Sequence, residues 1–158
     1  MIAANIMTKE VKTLKPSNSI IDALEILKEE KIRQIPVVDN DNKVVGTITS
    51  RGLLRTLLPD YITSGDLKDV KFAPELTQFT DKIDDLRNTT VQEVIDKDCK
   101  DCTCISPETS TMEIAAIFVN SDKELESVIV VDDENRVLGV ISPIDVYKRL
   151  WEYTQKKS

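Results

Sequence analysis

One stretch of this chain occurs twice. Pro36–Leu54 (PVVDNDNKVVGTITSRGLL) lies without gaps over Ile129–Tyr147 (IVVDDENRVLGVISPIDVY), 93 positions later. Val37, Val38, Asp39, Asn42, Val44, Gly46 and Ile48 recur as Val130, Val131, Asp132, Asn135, Val137, Gly139 and Ile141, while Lys43/Arg136 and Thr49/Ser142 keep their chemistry. A match of this kind is an internal duplication, so the chain is built from two like units.

Each copy reads as an apolar run, a polar turn and a second apolar run: Ile35–Val38, Asp39–Lys43, Val44–Ile48 in the first. β-Branched residues dominate both runs, which predicts a hairpin of buried strands. The turns Asp39-Asn40-Asp41-Asn42 and Asp132-Asp133-Glu134-Asn135 carry side chains that bond to nearby backbone and tolerate left-handed geometry, so their acids are read as structural. A helix precedes each hairpin. Ser19 leads apolar Ile20, Ala23, Leu24 and Leu27, with Asp22 three residues after the serine. Ser110 leads Met112, Ile114, Ala115, Ile117 and Phe118, with Glu113 in the same capping place. Short extended segments ending at proline, Val11–Pro16 and Cys102–Pro107, stand ahead of these helices. A closing helix follows each hairpin, over Arg51–Leu57 and Ile144–Tyr153. The order is strand, helix, strand, strand, helix, twice: an α/β chain of a first unit (1–58), a bridging segment (59–90) and a second unit (91–158). Tyr61, Phe72, Leu76 and Phe79 predict that the bridge packs or forms short helices, and the acids of Asp81–Asp85 are read as a solvated face.

Composition narrows the function. With 158 residues, 41% hydrophobic and 31% charged, the chain has the make-up of a folded protein. Its net charge of −7 offers no basic field for a phosphate backbone, so no nucleic-acid partner is expected. No apolar run approaches the roughly 18 residues that span a bilayer, and the opening MIAANIMTKEVK lacks a secretory pattern; no membrane association and a cytoplasmic location are expected. Histidine is absent, which removes the commonest general base and metal ligand. No Gly-rich phosphate loop or paired acid/base motif stands in for it, so no catalytic residue, metal or cofactor is assigned. Cys99, Cys102 and Cys104 lack the fourth ligand of a closed metal site; Cys102 and Cys104 alternate on an expected strand and are read as small buried residues, ahead of a redox pair.

Two segments, Gln34-Ile35-Pro36-Val37-Val38-Asp39 and Gly139-Val140-Ile141-Ser142-Pro143-Ile144-Asp145, resemble the signature of the CBS (cystathionine β-synthase) domain family. The resemblance covers roughly Met7–Leu57 and Val91–Trp151. It implies two units packed sheet to sheet as a pseudo-twofold pair, with clefts between them for AMP, ADP, ATP or S-adenosylmethionine. In that family the hydroxyl and acid of Thr/Ser-x-x-Asp hold the ribose hydroxyls, and here Ser142 and Asp145 supply both. The first copy keeps the hydroxyl of Thr49 but has Gly52 in place of the acid, which implies one good site and one altered or empty one. The pair arrangement also brings Lys12, Ile32 and Arg33 toward the Ser142/Asp145 pocket. A serine and an acid before a helix equally suit an N-cap, with Pro143 in the first turn.

These features point to a regulatory module that binds an adenosine ligand and acts on a partner protein. The alternative is an oligomerisation scaffold with a vestigial pocket. Apolar helical faces at Leu53, Leu54, Leu57 and at Val146, Leu150, Trp151 lead to the expectation of a twofold homodimer.

Overall fold

A computed structural model of the chain describes residues 1–58, 76–95, 104–121 and 125–157. In the first repeat, α2 (Ile20–Glu30) leads to β1 (Gln34–Val38), β2 (Val44–Thr49) and α3 (Ser50–Leu57), after a short α1 (Ala3–Ile6). Next come α4 (Leu76–Leu86) and α5 (Val91–Val94). The second repeat holds β3 (Cys104–Ile105), α6 (Thr111–Asn120), β4 (Val128–Val131), β5 (Val137–Ile141) and α7 (Pro143–Lys157).

The local signals fold as their chemistry dictates. Ser19 Oγ accepts from the Asp22 N–H at 3.2 Å while the Asp22 carboxylate accepts from the Ser19 N–H at 3.2 Å. Ser110 and Glu113 repeat the exchange at 3.2 and 3.1 Å. Each box satisfies two helix N–H groups that would otherwise lack partners. Both hairpins are antiparallel and carry the same irregularity: Val37 pairs with Gly46 but Val38 with Val44, and Val130 pairs with Gly139 but Val131 with Val137. The extra residue in each, Val45 and Leu138, is a β-bulge. At the turns, Asp39 Oδ1 accepts from the N–H groups of Asp41 and Lys43, and Asp132 Oδ1 from those of Glu134 and Arg136, so these acids organise their own loops.

The repeats exchange their leading segments. α1 packs into the core of the second unit, with Ala3 and Ile6 beside Ile114, Val128, Val130 and Ile141. Leu86 of α4, Val91 of α5 and Ile95 just after it enter the core of the first unit with Ile20, Ile35, Val37 and Ile48. Two of the identical residues make room for this exchange. Thr8 pairs with Val140 through both backbone bonds, at 2.9 and 3.1 Å, and crosses so close to Gly139 that a Cβ there would lie 2.8 Å from the Thr8 carbonyl oxygen. Gly46 is crossed by the Ile95 side chain in the same way.

A pseudo-twofold axis runs between the hairpins. The Val44 N–H donates to the Asn135 carbonyl and the Val137 N–H to the Asn42 carbonyl, both at 3.1 Å. The two asparagine amides donate back, Asn42 Nδ2 to the Val137 carbonyl at 3.3 Å and Asn135 Nδ2 to the Val44 carbonyl at 3.2 Å. Both asparagines hold positive φ, 64° and 65°, a region in which Asn is one of the few tolerated side chains. Farther along the axis, Ser127 Oγ donates to Gln34 Oε1 at 2.7 Å, and these too are equivalent positions.

Three expectations need correction. The first unit's opening strand is reduced to a single parallel bridge, Leu14 to Val37, while Thr8, six residues earlier, pairs with Val140 of the second unit. Cys104 is exposed and Ile105 buried, so the inward side of β3 is the isoleucine; Cys99 and Cys102 lie outside the described residues. The neighbours still crowd Cys104 enough to push its thiol above the usual range by desolvation. Finally, Leu53 and Val146 are buried within their own units and Leu57 packs against the first core, so they need no further cover. Leu54, Leu150 and Trp151 stay exposed, joined by Ile144 and Tyr147 of α7.

Candidate functional site

Strand β5 ends at Ile141 in the core, and Ser142 begins the turn into α7. Pro143 takes the first helical position, where its missing N–H costs nothing. One turn on, Asp145 folds back: its Oδ2 accepts from the Ser142 N–H and from the Ser142 hydroxyl, each at 2.8 Å. The cap is thus made by Asp145 from within the first turn, while the Ser142 hydroxyl donates to that carboxylate instead of accepting from a helix N–H. The cap leaves the second carboxylate oxygen, Oδ1, without a protein hydrogen-bond donor among the described residues, and a hydroxyl and a carboxylate stand side by side on a half-buried shelf.

That shelf forms one wall of a cavity of about 860 Å³. The structure brings Lys12, Ile32 and Arg33 to the same cavity, although they lie more than a hundred residues away in sequence. Lys12 arrives on the 8–12 segment that crosses from the second unit to the first. Ile32 and Arg33 follow Lys31, whose left-handed φ of 53° ends α2 and turns the chain into β1. Thr49 is not brought there. Its hydroxyl accepts from the Gly52 N–H at 2.9 Å and caps α3, outside the lining of this cavity.

Several lining residues carry no sequence signal of their own. Val11, Phe118, Leu125, Val140 and Ile144 give the cavity an apolar side suited to a flat heterocycle, and only tertiary packing assembles them. The charged groups are largely paired. Lys12 Nζ lies 3.9 Å from Glu30, and Glu126 stands between Arg33 at 3.5 Å and Arg51 at 3.9 Å. The alignment of the repeats places Glu126 opposite Arg33, but it gives no sign that the two meet. Among the described residues, no cluster of three Cys, Asp or Glu side chains is placed to hold a metal ion.

The sequence profile of the CBS domain matches residues 3–59 and 91–152. The chain belongs to the CBS domain family. Inosine-5'-monophosphate dehydrogenase of Methanocaldococcus jannaschii is 28% identical to this CBS pair over 147 residues, 93% of the chain but 23% of the enzyme's length. Among solved structures, the CBS-pair protein CBSX2 of Arabidopsis thaliana superposes with a TM-score of 0.74 at 18% identity, covering 98% of this chain and 96% of that one. CBSX2 has also been solved in complex with AMP. The CBS pair of protein MJ0100, solved with 5'-methylthioadenosine and S-adenosylmethionine, superposes with a TM-score of 0.67 at 20% identity over 97% of this chain and 98% of that one. These likenesses establish the pseudo-twofold CBS-pair fold. No described helix is long and apolar enough to cross a membrane.

Proposed function

We propose that this CBS pair is a cytoplasmic regulatory module that binds an adenosine-containing ligand, of the AMP, ADP, ATP or S-adenosylmethionine type, and passes the result to a partner protein. One observation carries the reading: Ser142 and Asp145 stand 2.8 Å apart at the wall of a cavity of about 860 Å³, facing Lys12, Ile32 and Arg33. A ribose presents two adjacent hydroxyls, for which a carboxylate and a neighbouring hydroxyl are matched partners. The apolar side suits an adenine, and the volume falls within the range of about 300–1,000 Å³ typical of small-molecule sites. The AMP complex of CBSX2 and the adenosyl ligands of MJ0100 support the same ligand class.

The segment at 8–12 supports regulation. It leaves α1 in the second unit's core, lines the cavity, and reaches Leu14 in the first, so a ligand touching it bears on both units at once. A ligand that favours one arrangement of the units shifts their population, which is what a sensor requires. The site offers hydrogen-bonding and ion-pairing groups for holding a ligand and no histidine for proton transfer, so the pair is read as doing no chemistry itself. The exposed Tyr147, Leu150 and Trp151 on α7 support a twofold homodimer; sedimentation equilibrium finding only monomer at micromolar concentration would oppose it.

The test is a thermal-shift and calorimetric panel of AMP, ADP, ATP and S-adenosylmethionine. A true ligand at about 100 times its dissociation constant stabilises the fold by roughly 2.7 kcal/mol. If none of the four shifts the transition, the adenosine reading fails and a scaffold with a vestigial pocket takes its place.

A further inference from the structure

The duplicated chain has diverged at two positions that meet in the cavity. Arg33 corresponds to Glu126 and Arg51 to Ile144, each 93 residues apart. The structure brings Arg33, from the entry to β1, and Arg51, from the first turn of α3, to the two oxygens of Glu126, at 3.5 and 3.9 Å. These are looser than the roughly 2.7–2.9 Å of a charge-assisted hydrogen bond. Glu126 is the sheltered member, with 18% of its side chain exposed against 78% for Arg33 and 51% for Arg51. Lys12 has its own counter-charge in Glu30. The cavity thus contains a pair of guanidinium groups already answered by a built-in carboxylate.

We propose that Glu126 is a specificity-determining residue that grades ligands by the charge they carry beyond the ribose. This rests on the adenosine reading above and concerns the other end of the same ligand. A phosphate entering the cavity seeks the two arginines, whose planar forks match its oxygens. It meets Glu126 in the place it would take, and must displace that carboxylate or bind with it close by. A neutral nucleoside makes no such demand. Glu126 therefore lowers affinity for phosphorylated ligands selectively, and displacing it loosens a contact that ties the first unit to the second. An ion triad that served only to join the units would, when broken, lower thermal stability without altering the preference between ligands.

The experiment is calorimetric titration of the full chain with adenosine and with AMP, for the unaltered protein, Glu126→Gln and Arg33→Gln. Removing the like charge should raise AMP affinity about tenfold while adenosine affinity stays within about twofold. Arg33→Gln, at a well-exposed position, should lower AMP affinity about tenfold and adenosine affinity by a smaller factor, so that the AMP-to-adenosine ratio falls. Raising ionic strength should narrow both effects. If both ligands bind but the AMP-to-adenosine affinity ratio is unchanged or falls in Glu126→Gln, this proposal alone is overturned. If neither ligand binds the unaltered protein, the adenosine reading falls, and the proposal with it.

Discussion

The corner at Thr49–Gly52 and the corner at Ser142–Asp145 occupy the same place in the two repeats, and each starts a helix. In the first, the Thr49 hydroxyl accepts from the Gly52 N–H at 2.9 Å and closes the cap alone. In the second, the acid reaches back from inside the helix, accepting from the Ser142 N–H and hydroxyl at 2.8 Å. A Cβ on Gly52 would lie 2.9 Å from Thr49 Oγ1, so the first cap is built around the lack of a side chain. The same turn can thus be closed by a hydroxyl or by a carboxylate, and only the carboxylate leaves a charged acceptor on the cleft wall.

The largest expected effect tests that difference directly. Asp145→Ala should weaken binding of an adenosine ligand by about 10- to 100-fold, since a hydrogen bond to a charged group contributes roughly 1.5–3 kcal/mol. Calorimetry showing unchanged affinity would leave the acid with its cap role alone. The converse, Gly52→Asp, forces the Thr49 hydroxyl off the Gly52 N–H, as Ser142 already does in its own corner. It should raise the number of ligands bound per chain in the same titration.

The two exchanged segments give the next comparison. Gly139→Ala would drive a Cβ against the Thr8 backbone, which is held by two hydrogen bonds, and Gly46→Ala would drive one against Cγ2 of Ile95, the branch of a stiff side chain buried in the first core. Overpacking should cost about 2 kcal/mol at each, measured by urea denaturation. A loss at only one of the two would show that the crossings differ in rigidity. Asn42→Ala and Asn135→Ala test the axis. Each removes one amide bond across it and places alanine at positive φ, so each should cost about 1 kcal/mol and the two losses should match.

The smallest effect concerns acid. The Ser110 backbone N–H, aided by the Ser110 hydroxyl, holds the Glu113 carboxyl below its ordinary range. A depressed native pKa contributes stability that is present above the unfolded value of about 4.3 and is lost as pH falls through the native value. Glu113→Gln should therefore flatten the fall in stability below about pH 4, as read from denaturation midpoints between pH 3 and 7. Identical acid slopes would remove Glu113 from the account.

What the sequence by itself determined is the part encoded in short range. The repeat, both capping boxes, the paired hairpins with their Asp-organised turns, and the Ser142-x-x-Asp145 corner all rest on contacts within a few residues or on a period of two. The resemblance to the CBS family then pointed Lys12, Ile32 and Arg33 toward that corner. Only the tertiary structure decided that α1 serves the second unit while Val91 and Ile95 serve the first, that Cys104 faces outward, and that Asn42 and Asn135 join the halves. It also decided the apolar wall and the meeting of Arg33, Arg51 and Glu126. The physical reason is distance along the chain. A cap or a turn is satisfied by its neighbours, whereas Asn42 finds the Val137 carbonyl 95 residues away, and nothing in the local pattern of either segment specifies the other.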